Sequence, residues 1–405
     1  FYYLKKKNKI EFKFNLKSKL KIFIISHYIN NKTSEVNDYY FGNLNFNSKE
    51  IEILRFLHKP ILSYLNISKF KQSNRGNVEI LYYNLGIIAN LKIFFKLFYK
   101  SINFFINNKD LYDDKIALEY LSVSTFTNII FYKYCLKIFQ KYQFDKIICT
   151  YEGHPFERLF YLASNKSIKK VKKIGYIHTP YAQYQNTAYL NLGKDINPEI
   201  LFTYGDISKY ISNFEYTFEK DILGSLRYNN QIFINDFKKN KNSNNILFLP
   251  DGIDQEIEIF LLLAIKLLKK FPNIKIIFRL HPVSKLKYKR KINIISKQNN
   301  NLLLSKNTLK NDSNNCKFAV YRSSSSIIES ILSGSLPIYY SNDNFLTSNP
   351  LFQIQNYILN LNEKHKSIEL FKNINKNLYD DKIINIILNH TNQIYKKIDN
   401  TILKN

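Results

Sequence analysis

Two stretches of the chain, residues 274–282 (IKIIFRLHP) and residues 318–340 (FAVYRSSSSIIESILSGSLPIYY), decide the fold. Each opens as a short, continuously apolar strand and ends in groups able to hold an anion. His281 and Pro282 follow the first strand, which carries Arg279 at its end. Arg322 and the run Ser323, Ser324, Ser325 and Ser326 follow the second and open a helix carrying Ile327, Ile328, Glu329, Ile331 and Leu332. A helix start presents unpaired N–H groups and a partial positive charge, so hydroxyls, an arginine and an imidazole collected there make a phosphate cradle. Ser326 and Glu329 also fit a capping box, which accounts for those two residues but not for the preceding arginine and serines. Upstream, the strand ILFLP (246–250) runs into Asp251-Gly252, a turn that would pass under the same cradle.

Working outward, the same rhythm recurs towards the N-terminus. DKIICTY (145–151) reads as a strand, followed by Glu152-Gly153-His154-Pro155 and a helix FERLFYLAS (156–164). KKIGYI (172–177) ends at His178-Thr179-Pro180, and EILFTYG (199–205) leads into a helix DISKYIS (206–212). Strand, special loop and helix in repetition are the mark of parallel strands with helical crossovers, and ligands then sit at the carboxyl ends of the strands. Glu152, His154 and His178 all fall at that edge. Glu152, next to a glycine that lets a substrate approach, is the candidate base, with helix-dipole satisfaction as its structural alternative. Hydrogen-bonded loop histidines are the preferred account of His154 and His178, and Glu157 with Arg158 reads as a surface or structural pair.

The polar stretch FKKNKNSNN (237–245) reads as a linker, giving an N-terminal domain over 1–236 and a C-terminal domain over 246–405. The expected class is α/β, two doubly wound parallel-sheet domains facing a cleft. The first 140 residues are the least legible. KIFIIS (21–26) and EILYY (79–83) read as buried strands, and residues 49–64 as a helix kinked at Pro60. Residues 90–107 place Lys92, Lys96 and Lys100 in one stripe beside a Phe/Ile/Leu face. Two readings stand, a helix resting on anionic lipid and an ordinary helix packed on a sheet, of which the second is preferred.

Composition narrows the classes. A chain of 405 residues suits two domains of about 200 residues each. With 45% hydrophobic residues it is no disordered polymer. Sixty Lys and Arg against 32 Asp and Glu give a formal charge of +28, and Lys, Asn, Ile, Phe and Tyr dominate while Met and Trp are absent. Nucleotide bias in the coding sequence explains that charge, and because the lysines are spread along the whole length a nucleic-acid groove is not indicated. The Phe1 start suggests a fragment or a processed end. Three cysteines without CxxC spacing argue against a disulfide framework or a zinc site and for a reducing compartment. No apolar run reaches the roughly 18 residues of a spanning helix, so a protein either soluble in the cytoplasm or peripheral on the inner membrane face is expected.

The acid-Gly element at Glu152-Gly153, the His-Pro pair at His281-Pro282 and the serine run resemble the motifs of bacterial sialyltransferases and related Kdo transferases. EGHPFER and GSLRY are similar to pieces of GT-B glycosyltransferase-like proteins of bacterial surface polysaccharide synthesis. The resemblance covers about residues 145–340. It implies two Rossmann-like domains, a nucleotide-sugar donor in the second, and a glycan or lipid-linked acceptor over the first; an anionic membrane surface as a further partner follows instead from the net charge and the lysine stripe. It makes Glu152 the base, His281 a donor-phosphate contact and acid, and Ser324 and Ser325 phosphate ligands. Tyr151 stands where some of those enzymes carry a second acid, which leaves open whether the donor is a CMP-sugar. No Asp-x-Asp motif is present, so no metal or cofactor is expected, and Arg279, Arg322 and His281 would neutralise the leaving group. The alternatives are another GT-B-like enzyme, an epimerase or glycerophosphotransferase, and a nonenzymatic basic protein binding RNA or glycolipid.

Overall fold

The computed structural model describes residues 20–27, 38, 40–41, 51–58, 78–81, 85–108, 113–180, 183, 187–206, 219–227, 244–282, 284–342, 348–362, 371 and 378–399. Two parallel sheets organise them. The first holds β1 (Leu20–His27), β2 (Ile51–His58), β3 (Val78–Leu81), β4 (Lys146–Thr150), β5 (Lys172–Tyr176), β6 (Ile200–Thr203) and β7 (Glu219–Ile222), in the order β3-β2-β1-β4-β5-β6-β7. The second holds β8 (Asn245–Leu249), β9 (Lys275–Phe278), β10 (Leu302–Leu304), β11 (Phe318–Tyr321), β12 (Leu336–Ser341) and β13 (Leu359–Asn362), in the order β10-β9-β8-β11-β12-β13. Both orders run outward from the first strand, return, and continue on its other side. The reversal leaves a crevice at the carboxyl ends of β1 and β4, and another at those of β8 and β11.

The helices follow from apolar periodicity. They are α1 (Ile87–Asn107), α2 (Asp113–Tyr120), α3 (Val123–Lys141) and α4 (Pro155–Ser164) beside the first sheet. Beside the second are α5 (Asp254–Lys270), α6 (Leu286–Gln298), α7 (Leu309–Asn314), α8 (Ser326–Ile331) and α9 (Asp381–Asn392). Strand residues alternate between two packed layers. Phe23, Ile25, Ile147 and Cys149 join the core that includes Ile138 and Phe139 of α3 and Phe160 of α4, while Ile22, Ile24, Ile148 and Ile174 pack with Tyr40 and Phe41. Phe23 is a hub, its ring centroid 5.7 Å from Phe56, 5.0 Å from Phe144 and 5.1 Å from Phe160. Burial on both faces is why these strands read as unbroken apolar runs.

The helix expected over 49–64 is instead β2, paired in parallel with β1 from Ile51 to His58. Its apolar run fits either state locally, and the two-sided burial beside β1 selects the strand. The remainder of that stretch, the DISKYIS helix beyond Asp206, and the linker apart from Asn244 and Asn245 lie outside the described residues. The helix at 90–107 forms, but it does not pack by its broad Phe/Ile/Leu face. Only Ile93, Leu97 and Ser101 are buried.

The chain crosses back at its end. Beyond α9, Lys396 donates its N–H to the carbonyl of Tyr204, Ser225 donates to the carbonyl of Lys396, and Asp399 to that of Leu223. This segment lies so close to Gly224, φ +87°, that a Cβ there would sit 2.4 Å from the carbonyl oxygen of Lys397. The two sheets are thus held together by a backbone contact as well as by chain connectivity. No described helix is long and apolar enough to cross a membrane.

Candidate functional site

At the carboxyl end of β4 the chain turns through Glu152, Gly153 and His154 before α4 begins with Pro155, a residue suited to a first turn because it lacks an N–H. The buried Glu157, in that first turn, accepts the N–H of Glu152 at 2.9 Å and of His154 at 2.8 Å. Gly153 has φ +83°, and a Cβ on it would meet the carbonyl oxygen of Thr187 at 2.3 Å. Arg158 clamps the same contact from inside, donating to Asn197 Oδ1, to the carbonyl of Thr187 at 2.6 Å and to that of Gly153 at 3.4 Å. Glu157 and Arg158 are therefore neither on the surface nor a pair. Each builds the loop that presents Glu152.

The Glu152 carboxylate is surrounded by donors. Thr179 Oγ1 donates to Oε1 at 2.6 Å, His178 Nε2 lies 3.3 Å from the same oxygen, and His154 Nε2 lies 3.1 Å from Oε2. Burial alone would push this carboxyl up. The hydrogen bond from His154, the nearby His178 and the Thr179 hydroxyl outweigh it and hold the pKa at about 2. The effect on the histidines is opposite. The hydrogen bond to Glu152 raises His154 above its ordinary value, whereas burial lowers His178 to about 4 and keeps it neutral. The Nδ1 of His178 is buried without a hydrogen-bond partner. Its ring also lies 4.1 Å from that of Tyr40. Thus Glu152, His154 and His178, read separately from the sequence, converge on one carboxylate.

The second sheet repeats this construction. After β8, Glu256 in the first turn of α5 accepts the Asp251 N–H at 2.7 Å, as Glu157 does for its own loop, while Asp251 Oδ1 accepts the Gly252 N–H at 2.6 Å. Burial raises the Glu256 carboxyl, and Arg322 Nη1 lies 3.5 Å from its Oε2 with the Ser323 hydroxyl also bonded to it. Arg322 is thereby committed to a buried carboxylate. Arg279 is committed too, since its Nη1 donates to Asp312 at 2.9 Å, to Ser305 at 3.2 Å and to the carbonyl of Asn307 at 2.7 Å. Each guanidinium is anchored through its Nη1 to a buried carboxylate. The serine run forms a turn in which Ser324 and Ser326 share a hydrogen bond of 2.6 Å, and α8 starts without a side-chain cap. The Ser326–Glu329 capping box does not form. Glu329 reaches across to the first half instead.

That reach meets a residue the sequence reading passed over. Arg227, two residues beyond the Ser225 contact with the returning tail, lies with Nε 3.8 Å from Glu329 Oε1, and its charge acts on the buried Tyr395. His281 is lowered by burial, with Asp251 pulling it up and the Arg227 charge pushing it down, and the same charge acts on His178. The charge of one guanidinium therefore acts on both histidines, one at the edge of each sheet. The available signal was GSLRY, a glycine and an arginine at the last strand of the first sheet. Among the described residues, no group of three or more His, Cys, Asp or Glu side chains is placed to hold a metal ion.

No protein-family model matches the chain, and no curated protein matches it. Solved structures do. The glycosyltransferase SnogD from Streptomyces nogalater is similar at TM-score 0.50 and 11% identity, over 93% of this chain and 95% of that one. A Listeria monocytogenes protein described as a UDP-N-acetylglucosamine 2-epimerase is similar at TM-score 0.53 and 8% identity, over 96% of this chain and 95% of that one. At such identities the likeness is one of fold. With the two strand orders, it makes the architecture α/β of GT-B type, two Rossmann-like halves.

Proposed function

We propose that the chain is an inverting, metal-independent glycosyltransferase that moves a sugar from a nucleotide-activated donor to a glycan or lipid-linked glycan acceptor. The observation that supports this most is the Glu152–His154 couple at one sheet edge and the serine turn at the other, with Arg227 of the first half reaching Glu329 on the helix that follows the serines. Donor phosphates rest on the Ser323 to Ser326 turn and the Asp251-Gly252 loop, with His281 beside them and Arg227 as the neutralising charge. Arg279 and Arg322 hold the scaffold under that site.

The base is best described as a pair. A carboxylate held at about 2 retains little affinity for a proton at neutral pH, whereas the imidazole it raises is matched to that range. The acceptor oxygen attacks the anomeric carbon and its proton passes to the pair. The bond from that carbon to the phosphate oxygen breaks, with the electrons leaving on the phosphate, and the anomeric centre inverts. On the grounds of the acid-Gly, His-Pro and Ser-Ser motifs, a CMP-activated acidic sugar is the first donor to test, with UDP-sugars, the class named for the Listeria protein, alongside.

The test is transfer itself, followed by nucleotide release and by the anomeric configuration of the product. Glu152→Gln should lower turnover by about 10² to 10⁴. Wild-type turnover in that variant would remove the pair from the reaction, and an epimerised donor with no acceptor product would replace transfer with epimerisation.

A further inference from the structure

Helix α1 is built in four ridges of i, i+4 spacing. One ridge, Ile93, Leu97 and Ser101, is its buried side. The ridge one residue earlier is Lys92, Lys96 and Lys100, turned about 100° round the axis. The other two are apolar and exposed: Phe94, Phe98 and Ile102, then Leu91, Phe95 and Tyr99, with Phe95 64% and Tyr99 70% accessible. The face continues beyond the helix. Ser101 Oγ bonds the Ala117 carbonyl at 2.7 Å, which fixes α2 alongside and brings in Leu118, 66% accessible. A folded monomer seldom leaves so broad a contiguous apolar face in water without a partner for it.

We infer that α1 is an interfacial helix that seats the protein on an anionic lipid bilayer. Charge decides between lipid and a second copy of the chain. Residues 87–107 contain three lysines and no acid, and none of these lysines has an ion-pair partner among the described residues. Two copies meeting on this face would gather the six lysines of both α1 helices around an apolar contact. An anionic leaflet instead takes the aromatic ridges at its headgroup boundary and pairs its phosphates with the lysine ridge alongside. Placement agrees. Helix α1 leaves the carboxyl end of β3, the same sheet edge that carries Glu152, so its first turn lies on the acceptor side of the molecule.

The test uses the full chain and two kinds of vesicle, one of phosphatidylcholine alone and one of phosphatidylcholine with an equal share of phosphatidylglycerol. Sedimentation with the mixed vesicles, weakened by salt and about a hundredfold weaker in a K92Q/K96Q/K100Q variant, is the expected result. A second variant, F95S/F98S, should lose binding while its circular dichroism and melting temperature stay near wild-type values, since both side chains are exposed, Phe95 64% and Phe98 45%. Binding that is equal in the triple lysine variant overturns the proposal. So does self-association of the wild type that F95S/F98S abolishes, with no vesicle binding, because it assigns the face to a second copy.

Discussion

Glu152 owes its character to three neighbours, and each leaves a measurable trace. With His154 raised by its bond to Glu152, transfer should fall as pH drops through that raised value, because the imidazole is then already protonated and takes no further proton. The sign follows from which form is active, the neutral imidazole being the acceptor. In Glu152→Gln the carboxylate that raises His154 is gone. The acid limb of a pH–rate profile should move to lower pH while the plateau drops, and an unmoved limb would mean that His154 is not the titrating partner. His178 stays outside this titration. Burial keeps it neutral, and it packs beside the oxygen that Thr179 holds while His154 holds the other.

At the scale of elements, the loop between β4 and α4 is specified by side chains that look ordinary in sequence. Gly153→Ala would set a Cβ 2.3 Å from the Thr187 carbonyl at a positive φ, so the loop or its neighbour must shift. A cost of about 1–3 kcal/mol is expected, on the scale of a residue held in a sparsely populated conformation. Denaturant titration measures it, and because the strain lies beside the first sheet, nucleotide binding on the second should persist. Unchanged stability would mean that the contact is looser than drawn. The strands from Lys146 onward were legible because they are continuous apolar runs punctuated by Gly, Pro and His. Residues 51–58 were not, since a short apolar run with one arginine fits a helix as well until β1 lies beside it. Strands β7 and β13 were illegible for a different reason, being short, half polar and last in their sheets, where one side needs no apolar cover. Within the site, the motif residues stood out by type. Glu157 and Glu256 did not, because a carboxylate that binds backbone groups three to five residues away leaves no spacing of its own, and Arg158 did not because its partners Thr187 and Asn197 lie far along the chain. Arg227 acts between halves, and nothing local in its sequence points to a partner on α8.

The whole molecule is two similar halves meeting at their carboxyl edges, tied by the segment that returns over Gly224. That arrangement gives the +28 charge a second reading beside coding bias. Two of its arginines, Arg279 and Arg322, neutralise buried acids, one stands at the junction, and three lysines line the exposed face of α1. The central claim is that an activated nucleotide lies on the serine turn of the second half under the charge of Arg227, while Glu152 works from the first. Calorimetric titration with CMP and UDP tests it most directly, run on wild type, S324A/S325A, R227A and E152Q. Binding of one nucleotide by wild type, weakened about tenfold or more in S324A/S325A and in R227A and unchanged in E152Q, is what the account predicts, since charged hydrogen bonds to phosphate are lost only in the first two. No heat with either nucleotide, or equal affinity in all four proteins, would contradict it.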